Sequence, residues 1–146
     1  MREPDSPATE QEVPVYRDAV ERVNDFIRRF GLAVGVQLDP LDAEGYTEAR
    51  YSDVALGINV NEEHGILMIL ARMGDLPDSP DAALLQRLLE LNFLATGLCA
   101  FAIDEQQRHL VLRTMRPIEP LRYEEFEHLL HSIAGMAQSM HRRLTG

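Results

Sequence analysis

The stretch from Pro80 to Thr96 constrains the fold more than any other part of the chain. It reads as a leucine-dense helix stopped by Gly97, and Leu84, Leu85, Leu88, Leu89, Leu91, Phe93 and Leu94 fall on more than one of its faces. An ordinary surface helix carries a single apolar stripe. The surplus either packs beneath a sheet as core or meets a second molecule. A second copy is the simplest cover, because a twofold contact reuses one patch on both partners. The strand pattern that follows can join the same contact. Leu84, Leu85, Leu88, Leu91, Leu98 and Phe101 are therefore the candidate dimer-interface residues of an expected homodimer.

At 146 residues the chain is one ordinary domain, long enough to bury a core without metal or disulfide staples. Fourteen Lys and Arg against 24 Asp and Glu leave a formal charge of -10, which repels phosphate backbones and anionic lipid. That balance points away from nucleic acid. The pair Arg142 and Arg143 ends a helix, where cations favour the negative end of the dipole. Cys99 is alone, so no intrachain disulfide forms, and its apolar surroundings predict a buried, inert thiol. The longest apolar run, Gly65 to Ala71, is about seven residues against the ~20 a spanning helix needs, so no membrane insertion is expected. The opening MREPDSPATEQEVP lacks the apolar centre of a secretory signal, which predicts a cytoplasmic protein. With Pro4, Pro7 and Pro14 among acidic and small polar residues, 1–14 reads as a disordered tail and 15–146 as a single domain.

Periodicity supplies the element order. Tyr16, Ala19, Val20, Val23, Phe26, Ile27 and Phe30 recur at helical steps, and Gly31 stands as the stop. Leu32, Val34, Val36 and Leu38 then alternate, predicting a strand closed by Asp39 and Pro40. A polar loop is expected up to Tyr51, followed by alternating Val54, Leu56, Ile58 and Val60 and the continuous run Ile66 to Leu70. These three strands read as an antiparallel meander. Ser79 and Pro80 match a helix cap with proline at the first helical position. After Gly97, Leu98–Ile103 and His109–Met115 flank a hairpin-length loop, Pro117 and Pro120 break the strand, and Tyr123 to Leu144 carries one apolar stripe. The expected class is α+β, in the order α-β-β-β-α-β-β-α, with a small antiparallel sheet packed by helices.

Chemistry-bearing motifs are missing: the sequence contains no GxGxxG, Walker loop, HExxH, GxSxG or CxxC. His128 and His131, with Glu124 and Glu127 four residues before each, permit metal ligation, yet the same spacing gives ordinary helix-surface pairs. Without a third clustered ligand, no metal or cofactor is expected. Glu62, Glu63 and His64 occupy a strand-to-strand turn, where polar residues are expected on structural grounds. No catalytic residue is therefore nominated, and the chain reads as a binding protein. A small sheet has edges, and an exposed edge accepts a segment of another protein by main-chain pairing. Phe26, Ile27, Phe30, Leu32, Val34 and Val36 are the candidate residues for such a site, with ordinary core as the alternative for each.

LLELNFLATG (88–97), LCAFAID, HLVLRTMRPIEPL and the closing FEHLLHSIAGMAQSMHRRL together resemble a class I type III secretion chaperone of the Tir chaperone group. The likeness spans roughly residues 15 to 144 and rests on apolar patterns, with no fixed catalytic letters. It implies a small α+β homodimer whose second helix and following strand build the dimer contact. It also implies that the N-terminal segment of a secreted effector wraps around that dimer in extended form, held by apolar pockets on the first helix and sheet and kept competent for secretion. The chain departs from the pattern in its Pro-containing acidic tail and in carrying Met136 and Met140 where a late aromatic is frequent. Two other readings stay open: a regulatory protein that sequesters a secretion-system control protein, and a small enzyme with an unrecognised pocket.

Overall fold

Each helix begins where a side chain can satisfy its free amide groups, and those caps fix the element boundaries. The computed structural model describes residues 16–145; the expected tail at 1–14 lies outside them. Helix α1 (Ala19–Val34) opens on Asp18, whose carboxylate accepts the Glu21 amide at 2.9 Å. It does not stop at Gly31. Gly35, with φ of 75°, closes it and donates its amide to the Gly31 carbonyl. Gly31 is instead a point of close approach, because a Cβ there would sit 2.6 Å from the Val36 carbonyl oxygen. The chain folds back over it, and the Val36 amide bonds the Gly31 carbonyl at 2.9 Å.

The strand expected over Leu32 to Leu38 is absent. Leu32 and Val34 belong to α1, and Val36 and Leu38 to the returning segment, so their alternation came from two different structures. The first strand, β1 (Tyr46–Tyr51), occupies what reads in sequence as a polar loop. Its inward positions Thr47 and Ala49 are small or polar, which hides the period-two signal. Strands β2 (Val54–Asn61) and β3 (Ile66–Asp75) complete the meander. Helix α2 (Ala82–Leu94) is capped by Asp81 rather than Ser79, and Gly97 follows with φ of 63°. Strands β4 (Ala100–Asp104) and β5 (His109–Pro117) precede helix α3 (Tyr123–Thr145).

The sheet is antiparallel throughout, in the order β1-β2-β3-β5-β4. Its register sorts residues by face. Thr47, Ile58, Ile69 and Thr114 form one cross-strand row and Ala49, Leu56, Ala71, Leu112 and Phe101 the next. Both rows point under the helices, where Phe26, Phe30, Phe126, Ile133 and Met140 are buried. Phe26 sits against Phe126 and Tyr123, with ring centroids 5.5 and 6.0 Å away, locking α1 to α3. Among the described residues no helix or further strand covers the opposite face.

Candidate functional site

Helix α2 has an inward and an outward stripe, as its composition demands. Leu88, Leu91 and Phe101 are buried in the chain's own core, whereas Leu89 (70% exposed), Phe93 (82%) and Leu98 (76%) stand in solvent. Leu84 and Leu85 are half-buried. The outward stripe is Leu85, Leu89 and Phe93 at steps of four, continued by Leu98. Three of the expected interface residues therefore serve the monomer, and the signal that would have separated them is this i, i+4 stepping, which leaves Leu84, Leu88 and Leu91 on the other side.

Helix α2 also closes one edge of the sheet. Asn92 accepts the Phe101 amide at 2.7 Å and donates to the Phe101 carbonyl at 3.4 Å, so a side chain imitates the next strand. No strand covers the outer edge of β1 among the described residues. Asp42 plays the same part at the first residue of β1, accepting the Tyr46 amide on Oδ1 at 2.9 Å and donating its own amide to the Tyr46 carbonyl at 2.8 Å, so the edge is open only beyond Tyr46.

A groove of about 880 Å³ runs between α1 and residues 36–40, and the returning segment separates it from β1. The Leu41 amide donates to Asn24 Oδ1 at 2.8 Å, and the Thr47 hydroxyl to the Asp39 carbonyl at 3.2 Å, fixing the returning segment between helix and strand. Ile27, Gly31, Leu32, Val36 and Leu38 line it, with Asp25 and Arg28 at the rim. Of the expected client residues, Leu32 (73% exposed) and Val36 (40%) reach the surface. Phe26, Ile27 and Phe30 are almost fully buried, Phe26 against Phe126 and Tyr123 and Phe30 against Tyr51 and His131, and Val34 is half-buried.

Ionisable groups do not assemble into a reaction centre here. Burial pushes the Asp25 carboxyl up, but hydrogen bonds from Tyr16 (2.7 Å) and Arg28, with Arg29 nearby, outweigh it and hold the group below the usual carboxylate range. Burial raises the Cys99 thiol against the opposing Arg116, which leaves it a poor nucleophile. His131 Nδ1 lies 2.7 Å from the Tyr51 hydroxyl and His128 Nε2 3.3 Å from the Ser132 hydroxyl, so the two rings are engaged separately. Among the described residues no group of three or more His, Cys, Asp or Glu could hold a metal ion. No described helix is long and apolar enough to cross a membrane.

The model of the Tir chaperone protein (CesT) family matches residues 25–140. Among solved structures, the ExsC-ExsE complex is similar at a TM-score of 0.71 and 21% identity, covering 86% of this chain and 95% of that one. The HopA1-SchA chaperone-effector complex follows at 0.64 and 17%, covering 88% and 99%. The Yersinia pestis type III secretion chaperone SycH, bound to a fragment of YscM2, gives 0.57 and 17%, covering 80% and 97%. These likenesses show the α+β fold. No curated protein matches by sequence.

Proposed function

The chain belongs to the Tir chaperone protein (CesT) family, and from that premise we propose that it is a cytoplasmic type III secretion chaperone that binds the N-terminal segment of a secreted effector. The observation that supports this reading is the apolar groove of Leu32, Val36 and Leu38 between α1 and the returning segment. An extended segment can drop alternate side chains into this groove and, where it passes beyond Asp42, pair its main chain with β1 from Glu48 onward. Held open, the client cannot collapse into its own core. Binding supplies the whole effect, and no bond is made or broken.

The working unit in this reading is a homodimer joined through Leu85, Leu89, Phe93 and Leu98, which are apolar and outward. Because Asn92 blocks β4, the copies meet through side chains and the two sheets do not continue into one. The experiment is co-purification with the secreted protein encoded beside this chain, with and without that protein's first segment. Retention only when the segment is present supports the proposal, and retention of the truncated client removes it.

A further inference from the structure

The sheet face opposite the helices is covered by no other element among the described residues, and it forms a trough of about 850 Å³ lined by residues of both edge strands. Its floor comes from the register: Asn59 and Met68, then Gly57 and Leu70, then Val111 and Ala102. The Tyr46 ring lies across this row, so that a Cβ at Gly57 would meet its hydroxyl at 2.7 Å and Leu70 Cδ1 at 3.0 Å. The walls are acidic. Asp42, Glu44 and Glu48 rise on the β1 side, Asp104 and Glu105 on the β4–β5 side. Arg72 and Arg113 oppose those five, and Arg72 lies 3.9 Å from Asp75.

We propose that this acidic-walled trough docks a basic amphipathic helix, apolar side down, as a second segment of the client. Charge selects the occupant. Five carboxylates on the walls favour a basic segment and disfavour the chain's own residues 1–15, which carry Glu3, Asp5, Glu10 and Glu12 against Arg2, while a second copy is taken up at the proposed α2 seam. Backbone chemistry selects the conformation. On a sheet face the peptide groups are already paired within the ladder, so an occupant must satisfy its own, as a helix does and a lone strand does not. The inference rests on the chaperone reading for the identity of the client, and on the trough alone for its chemistry.

The test uses the full chain, labelled with ¹³C at its methionine methyls, and a 14-residue Leu/Lys amphipathic peptide as probe. Met68 shifts on addition, buried Met140 does not, and the matching Leu/Glu peptide leaves both unmoved. Neutralising the exposed wall in Glu44→Gln/Glu48→Gln/Glu105→Gln weakens binding about tenfold, the scale of several rim charges in water. Glu62→Gln/Glu63→Gln/Glu124→Gln removes the same net charge away from the trough and leaves affinity within about twofold. Equal losses in the two triple variants, or a peptide that leaves Met68 unmoved, overturn the inference. Either result leaves the α1 groove standing, because that site is read on Leu32 and Val36 with the client itself.

Discussion

Leu89→Glu/Phe93→Glu should separate the proposed dimer from the fold. Both side chains are mostly exposed, at 70% and 82%, so the monomer loses little when they change. In a twofold contact each is buried twice, and at roughly 1.5–3 kcal/mol per side chain the pair accounts for roughly 6–12 kcal/mol of gross association energy. Four carboxylates pressed together at the seam add desolvation and repulsion. The dissociation constant should rise by about 10⁴-fold or more, since every ~1.4 kcal/mol is tenfold. Light scattering on a size-exclusion column then reports a monomer at micromolar concentration, with a melting curve close to the parent's. Leu88→Glu or Leu91→Glu behaves differently. Those positions are 5% and 3% exposed, so the charge is buried in the chain's own core and the monomer unfolds. A double variant that remains dimeric refutes the seam. A parent chain that is monomeric at tens of micromolar refutes the dimer.

Leu32→Asp/Val36→Asp should weaken client binding at least about tenfold, measured by calorimetry, with little change in melting temperature because both side chains face solvent. Gly31→Ala forces a methyl to within 2.6 Å of the Val36 carbonyl, so it should cost about 1–3 kcal/mol in denaturant unfolding and open the groove. Asn92→Ala removes two bonds at the β4 edge and should cost roughly 1–2 kcal/mol, with concentration-dependent association seen by light scattering. The Asp25 carboxyl is depressed in the folded chain, so its contribution is present above the ordinary carboxylate range near pH ~4 and is lost as pH falls through its folded value. Asp25→Asn should therefore flatten the acid limb of a stability profile. Burial, with Glu48 alongside, pushes the Tyr46 phenol up to about 12; its contribution holds below pH ~10 and disappears as pH rises through 12, a step that Tyr46→Phe abolishes.

The strongest periodic segments were legible in the sequence. Helices α2 and α3, the β4–β5 hairpin and β2 and β3 lie where apolar spacing puts them, because each buries a face that its pattern advertises. β1 was missed because the edge strand turns Thr47 and Ala49 inward, where a continuous apolar row is not required. The false strand at 32–38 joined the end of one helix to a returning loop, and Gly31 was misread because a glycine demanded by close contact looks like one demanded by a turn. At the candidate site the sequence does not tell which face of α2 each leucine takes. Leu88 and Leu91 read as surplus, yet they are buried, and the exposed side chains are Leu89 and Phe93, one and two positions further along the helix. The trough left no sequence signal, since its acids come from opposite edges of the sheet and meet only when the register brings them together.

The central claim is that a client segment lies along the α1 groove and the open edge of β1. Hydrogen exchange of the full chain, alone and bound to the N-terminal segment of the secreted protein encoded beside it, tests this directly. Slowed exchange is expected across 31–38 and at the outward β1 amides of Glu48 and Arg50, with the Tyr46 amide, already bonded to Asp42, and the Asn92-blocked edge at Phe101 unchanged. Protection confined to β4, or none in β1 despite binding, contradicts it.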